Sequence, residues 1–315
     1  MKTARILRRA ACLLLAALLT VSACAFAEEK GETPMFLDSL PNSYTREKAE
    51  NGGKVLRITY PTKDYFGDGA EIEKHALVYL PADYSEDVPC DVLFLCHGVG
   101  GTEYEWNFAI TPGNQNGKNV ADCAFSMGLV KNLIIVLPNG RSTANFNDTS
   151  FGNMYAFYSF GQELRNDLIP YIDDHFSTWS GKLRDDPAAA RQHRAMAGLS
   201  MGGMQTINIG MCECLDLISA FGAFSAAPTS LPAAQIAEKL KEFPEDLDIR
   251  AFYSVCGTSD GTAYASASAA AKTKPADSRL TEDNWFWQDV EGSHDYSVWY
   301  LGLFNFLKLL GSMQE

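Results

Sequence analysis

From Asp91 onward the chain alternates short runs with apolar cores with longer segments of helical character, and few architectures accept that pattern. Asp91–Cys96, Leu133–Leu137, Arg194–Ala197, Ala220–Phe224, Ala251–Cys256 and Trp285–Gln288 are strand candidates. Between and after them lie helix candidates near Asn119–Met127, Gly161–Asp174, Gly202–Met211, Ala233–Lys241, Thr262–Ala271 and Ser297–Leu310. Strands that alternate with helices predict a mainly parallel sheet. A run that is apolar at every position fits a strand buried on both sides, so helices are expected on both faces. Two earlier runs, Val55–Tyr60 and His75–Tyr79, bring the sheet to eight strands and are placed as an antiparallel pair at one edge. The expectation is one α/β domain with a mainly parallel eight-stranded sheet, and no internal repeat of solenoid length interrupts it.

The N-terminus has a different character. Lys2, Arg5, Arg8 and Arg9 precede an apolar run from Ala10 to about Ala23, the pattern of a secretory signal and too short to span a bilayer comfortably. Two processing sites compete. Ala25-Phe-Ala27 before Glu28 reads as a cleavage site that ends a signal at residue 27, whereas Val21-Ser-Ala-Cys24 reads as a lipobox in which Cys24 carries the lipid. Both readings predict an extracytoplasmic protein, released or lipid-anchored. Residues 28–53, polar and punctuated by Pro34, Pro41, Gly52 and Gly53, are expected to be a tether ahead of a catalytic domain over 54–315. Loss of residues 1–27 removes four of the 26 cations and none of the 39 acids, which moves the formal charge from −13 to −17. So acidic a surface disfavours nucleic acid and anionic membranes as partners.

Six cysteines fall in the expected domain: Cys90, Cys96, Cys123, Cys212, Cys214 and Cys256. Export permits disulfides, and a Cys90–Cys123 pair is one option, but the spacing is not that of a stapled miniature scaffold. Cys96 and Cys256 sit in apolar strands, where a thiol acts as a small hydrophobe. Cys212 and Cys214 would point to different faces of a helix. With no H-E-x-x-H and no paired C-x-x-C, neither a catalytic metal nor any other cofactor is expected.

The chemistry is concentrated where the fifth strand ends. Arg194-Ala-Met-Ala runs into Gly198-Leu-Ser-Met-Gly202, a G-x-S-x-G motif between a strand and a helix, which predicts a sharp turn that exposes Ser200 as a nucleophile. A serine hydroxyl needs a base to take its proton. Where the triad runs Ser, then acid, then His, the base must lie downstream, and of the five histidines only His294 does. It occupies a polar loop, Glu291-Gly-Ser-His-Asp, ahead of the last helical segment. The acid must lie between them. Asp260 follows the strand Ala251–Cys256 and the turn Gly257-Thr-Ser, at the end of the sheet where α/β proteins gather their sites. Glu282, Asp283 and Asp289 are alternatives, while Asp295 is too close in sequence to reach the His294 ring.

Hydrolysis of an ester also needs N–H donors for the developing oxyanion. Met201, directly after the nucleophile, supplies one candidate. The other is Val99, in the His97-Gly-Val-Gly-Gly101 loop that ends the third strand. That loop lacks the lysine and the spacing of a phosphate cradle. For substrate contact, the candidates are Trp106 and three rings in the long Asn-rich loop between Pro138 and Phe160, namely Tyr155, Phe157 and Tyr158.

Taken together, His97-Gly-Val-Gly-Gly, Phe160-Gly-Gln-Glu-Leu-Arg-Asn-Asp-Leu-Ile-Pro-Tyr-Ile172, Gly198-Leu-Ser-Met-Gly-Gly, Cys256-Gly-Thr-Ser-Asp and Gly292-Ser-His-Asp resemble one esterase family of the α/β-hydrolases. That family holds the feruloyl and acetyl xylan esterases of carbohydrate esterase family 1, enterochelin esterases and S-formylglutathione hydrolases. The likeness covers roughly residues 50 to 312. It implies a single α/β-hydrolase domain and acyl-ester hydrolysis with Ser200, Asp260 and His294 as catalytic residues. Gly203-Met-Gln-Thr-Ile-Asn-Ile-Gly210 with Phe221-Gly-Ala-Phe-Ser-Ala-Ala-Pro228 is most similar to the feruloyl-esterase branch, which implies feruloylated or acetylated xylan or its oligosaccharides as substrate, and no protein partner. Acetyl xylan esterase, siderophore esterase and a non-catalytic binding protein on the same fold remain the alternatives. One departure from the family pattern is Tyr296, where many relatives carry Trp.

Overall fold

The computed structural model describes residues 36–110 and 113–314. The expected signal segment, Cys24 and the first part of the expected tether lie outside the described residues. Among the described residues eight strands form one sheet: β1 (Lys54–Lys63), β2 (Glu71–Leu80), β3 (Asp91–Cys96), β4 (Leu133–Pro138), β5 (Arg194–Leu199), β6 (Ala220–Phe224), β7 (Ala251–Gly257) and β8 (Trp285–Val290). Their order is β1-β2-β4-β3-β5-β6-β7-β8. The pairs β1–β2 and β2–β4 are antiparallel, and every pair from β4 to β8 is parallel.

The apolar runs become strands because both of their faces are covered. Val92, Phe94 and Cys96 of β3 point into one buried cluster and Leu93 and Leu95 into the other, so past Asp91 at its start no position along the strand is left for a polar residue. On the first face pack the helical stretch Phe160–Glu163, Leu164–Leu168 and Ile169–His175 (α2, with a π turn at its centre), the helix Ala233–Leu240 and the helix Tyr264–Ala271. On the second pack Asn116–Ser126 (α1) and the 17-residue Tyr296–Ser312 (α3), which buries twelve of its residues. β1 has the alternating exposure of an edge strand with one solvated face.

The tether expectation is corrected for residues 36 onward. Phe36 lies 4.6 Å from the Tyr253 ring, the Leu37 N–H donates to Asn305 Oδ1, and Asn305 and Gln288 both donate to the Leu37 carbonyl. Leu40 and Tyr44 continue this packing against the α3 face. A segment polar on average thus carries enough apolar side chains to dock. The suggested Cys90–Cys123 bond is also corrected: all six described cysteines are free thiols, and the Cys123 sulfur sits against Met127 on its own helix.

Because β4 and β5 flank β3, the chain leaves β3 toward one side of the sheet and returns on the other. The crevice at such a switch point, outside the carboxyl ends of the strands, is where open α/β sheets bind ligands. The loop after β3 and the turn after β5 meet there.

Candidate active site

At the end of β5 the backbone turns into the helix Met201–Gln205 through Ser200, whose φ of 51° and ψ of −114° place a non-glycine residue in a sparsely populated region. Such a conformation costs about 1–3 kcal/mol and persists only where the surroundings impose it. Here they do: the Ser200 N–H donates to the Phe224 carbonyl, and the Ser200 carbonyl accepts from Met204 and Ala227. Gly202 is required by close approach, since a Cβ there would meet the Cys96 carbonyl oxygen at 2.5 Å. The turn therefore packs directly onto the end of β3 and leaves the hydroxyl at the crevice.

His294 Nε2 lies 3.1 Å from Ser200 Oγ, and His294 Nδ1 lies 2.8 Å from Asp260 Oδ2. Asp260 is buried, and its other oxygen accepts the Thr262 and Ala263 N–H groups. Burial alone raises this carboxyl, but the His294 N–H and the backbone donors outweigh it and hold Asp260 below the ordinary carboxylate range. An ionised Asp260 is an acceptor only, so the proton of His294 sits on Nδ1 and the Nε2 lone pair faces the serine. The imidazole edge rests on Trp299, 5.1 Å between centroids at 87°. Asp295 turns the other way and caps the last helix through the Ser297 N–H. Asp289 pairs with Tyr264 and Lys272, and Glu282 and Asp283 are exposed. None of these four shares a hydrogen bond with His294.

The loop Gly98–Gly101 closes as a turn, with the Gly101 N–H on the Gly98 carbonyl. Val99 occupies the first central position, whose N–H the turn does not use, and its side chain packs with Met201, Met204 and Phe157. The side chains of Val99 and Met201, the residue after Ser200, thus share one apolar cluster.

Three residues hold this loop to which the sequence alone assigned no role. His97 is buried; its Nδ1 is 2.7 Å from the Gly98 carbonyl and its Nε2 accepts the Gly140 N–H at 3.0 Å. Only the neutral tautomer with the proton on Nδ1 makes both bonds. Arg141 spans the loop from below, donating to the Gly101 carbonyl at 2.8 Å and to the Val99 carbonyl, with its guanidinium 4.7 Å from the Phe157 ring. Glu105 Oε2 accepts the Gly98 N–H at 2.6 Å. Beneath them a fully buried pair, Lys74 and Glu163, binds the Asn139 and Arg141 carbonyls and the Tyr60 and Ser142 hydroxyls, which fixes the segment carrying Gly140 and Arg141. Arg141 follows the apolar run of β4, so its place at a strand's carboxyl end was the signal available for it.

The buried state of His97 has a measurable consequence. Burial, then the nearby Arg141 charge, push its pKa from 6.5 down to about 3. Between those values the unfolded chain binds a proton that the folded chain refuses. The contribution is therefore intact above pH 6.5 and declines by about 1.4 kcal/mol for each unit of acidification below it. Urea unfolding of wild type and His97→Asn at pH 6 and pH 4 is expected to show the wild type losing about 2–3 kcal/mol more than the variant. Parallel losses in the two proteins would contradict the assignment.

Two of the four aromatic candidates are corrected. Trp106 is buried in the α3-side core and spends its indole N–H on the Cys96 carbonyl. Phe157 is buried between Met201, Met204 and Arg141. Neither ring has a face left for a ligand. Tyr155 and Tyr158 are exposed, 6.5 Å apart, on the 3-10 helix Phe151–Ser159. Among the described residues no cluster of three or more His, Cys, Asp or Glu side chains has the arrangement of a metal site.

Comparison with known proteins places this geometry in context. Residues 70–305 match the family model described as Putative esterase. The endo-1,4-beta-xylanase Y of Acetivibrio thermocellus is 31% identical over 182 residues, 58% of this chain and 15% of that protein. The endo-1,4-beta-xylanase/feruloyl esterase of Xylanibacter ruminicola is 32% identical over 170 residues, 52% of this chain and 20% of that protein. The matched part of this chain therefore spans a fifth or less of the length of either relative. Among solved structures, a ferulic acid esterase from Anaeromyces mucronatus in complex with ferulic acid has the same fold, with a TM-score of 0.69 at 22% identity over 90% of this chain and 100% of that one. The match over residues 70–305, with the α/β-hydrolase fold around it, shows that the chain belongs to the Putative esterase family.

Proposed function

We propose that this chain is an exported serine esterase that hydrolyses feruloyl esters on plant cell-wall xylan. The observation that carries the mechanism is the hydrogen-bonded line from Ser200 Oγ through His294 to Asp260, 3.1 and 2.8 Å at its two steps. His294 Nε2 takes the Ser200 proton as Oγ attacks the ester carbonyl. The Val99 and Met201 N–H groups receive the oxyanion of the tetrahedral intermediate. As the intermediate collapses, the ester C–O bond breaks and His294 returns the proton to the leaving hydroxyl. Water, deprotonated by the same imidazole, then attacks the acyl-serine and releases the acid and the free enzyme.

The substrate reading draws on two relatives at just over 30% identity, one named a xylanase and the other a xylanase/feruloyl esterase. Export and lipid or free release rest on the cationic and apolar pattern of residues 1–27. The test compares kcat/KM on methyl ferulate, feruloylated arabinoxylan and acetylated xylan, with a fluorophosphonate probe run alongside. Ferulate release that exceeds acetate release at least tenfold is the expected result. Preferential acetate release makes the chain an acetyl xylan esterase instead, and a folded sample that never labels at Ser200 makes it a binding protein.

A further inference from the structure

The leaving alcohol of an ester departs toward the group that protonates it, so whatever flanks His294 beside the oxyanion loop meets the alcohol rather than the acid. Glu105 stands there. Its Oε2 is bound to the Gly98 N–H, and a Cβ on Gly98 would lie 3.3 Å from both that oxygen and Ser200 Cβ, so carboxylate and nucleophile border the same glycine. From the other side the Tyr296 hydroxyl, two residues past His294, donates to the Glu105 carbonyl at 3.0 Å. Glu105 thus joins the oxyanion loop to the His294 loop; burial pushes its carboxyl up, while the Gly98 N–H and then the Arg141 and His294 charges oppose that rise.

Its second oxygen is unused. Glu105 Oε1 has no hydrogen-bond partner among the described residues, and on a half-buried side chain it is not among the fully buried orphan atoms, so it keeps some access to solvent. The nearby Arg141 guanidinium offsets part of the Glu105 charge, yet a carboxylate still sets negative charge beside the loop where the oxyanion forms. An amide oxygen would hold the Gly98 N–H without that penalty. What a free carboxylate oxygen does well is accept a hydrogen bond from a neutral hydroxyl, a charge-assisted contact stronger than a neutral one. The partly exposed Tyr296 ring beside it offers an apolar face to the carbons between such hydroxyls.

We propose that Glu105 and Tyr296 form an alcohol-side subsite, in which Glu105 Oε1 accepts a hydrogen bond from a leaving-group hydroxyl and selects esters of polyhydroxylated alcohols, sugars among them, over esters of simple alkanols. The proposal rests on the serine-esterase reading and adds the alcohol to it. Glyceryl ferulate and propyl ferulate test it, since they share the acyl group and the three-carbon chain and differ in the alcohol's hydroxyls. Wild type is expected to favour the glyceryl ester at least tenfold in kcat/KM. In Glu105→Gln the amide oxygen still accepts the Gly98 N–H but an NH₂ donor replaces the free acceptor, and the glyceryl-to-propyl ratio is expected to fall on the order of tenfold. Glu105→Ala, which abandons the loop as well, lowers turnover of both esters. A wild-type ratio near one, or a ratio that Glu105→Gln leaves unchanged, overturns the subsite. The wild-type comparison needs no variant to fold. Turnover of neither ester removes the esterase reading and this proposal with it, whereas turnover of both without preference removes the subsite alone.

Discussion

Replacing Ser200 by alanine is expected to lower kcat on a feruloyl ester by at least about 10⁴-fold while the protein stays folded. The fold is spared because the contacts that impose the strained turn are made by the backbone: the Ser200 N–H to Phe224, and its carbonyl to Met204 and Ala227. Alanine keeps all of them. What it deletes is the one atom that His294 Nε2 faces at 3.1 Å. The oxyanion donors, the loop held by His97 and Arg141, and substrate binding all remain, so KM changes little and the residual rate reports what they achieve without a nucleophile. Steady-state kinetics, a thermal melt and mass spectrometry after fluorophosphonate treatment measure the three parts. An unlabelled, inactive variant with a wild-type melting curve is the expected outcome, and near-normal turnover would mean that another residue attacks.

Why Ser200, Asp260 and His294 stood out in the sequence, and His97 and Glu105 did not, follows from the range of the information involved. Each of the first two lies just past a run apolar enough to be a strand buried on both faces, and strand ends in such a sheet converge on one crevice whatever the loops do. His294 was found by chain order. The task of His97 is set by Gly140, 43 residues away. That of Glu105 is set by one N–H and by a tyrosine 191 residues away. No local pattern encodes those pairings.

The aromatic residues make the same point within a single turn. Tyr155 and Phe157 are two positions apart in a segment that reads as an Asn-rich loop, yet one ring is exposed and the other lies under the oxyanion loop. A 3-10 helix carries them, and its three-residue repeat is not the one that amphipathic helices advertise. Trp106 looked available because it follows a Gly-rich loop, but a large ring ten residues past a buried strand had room to fold back beneath it. The strands themselves were legible to within a few residues. Edges blurred where alternation with solvent takes over, as at Thr62 and Lys63 of β1.

Asp260→Asn separates positioning from electrostatics more sharply than removal of the side chain. In the native site Oδ1 already accepts the Thr262 and Ala263 N–H groups, and Oδ2 accepts from His294. Asparagine has one oxygen to offer, and the two backbone donors claim it. Its NH₂ is then left pointing at His294 Nδ1, as a donor where an acceptor stood. The imidazole must answer by carrying its proton on Nε2, and in that tautomer it presents N–H to Ser200 instead of a lone pair. The general base is lost although no atom has moved, and the negative charge that steadies the imidazolium is lost with it. Together these predict a fall in kcat on the order of 10⁴-fold near neutral pH, with KM little changed. A partial recovery is expected as pH rises and hydroxide begins to do the work of the base, so the pH–rate profile should steepen on the alkaline side. Backbone donors that hold the asparagine oxygen also predict that the variant melts close to wild type. A variant that keeps the wild-type rate and profile would show that Asp260 does not control the His294 tautomer, and the acid would have to be sought elsewhere in the crevice.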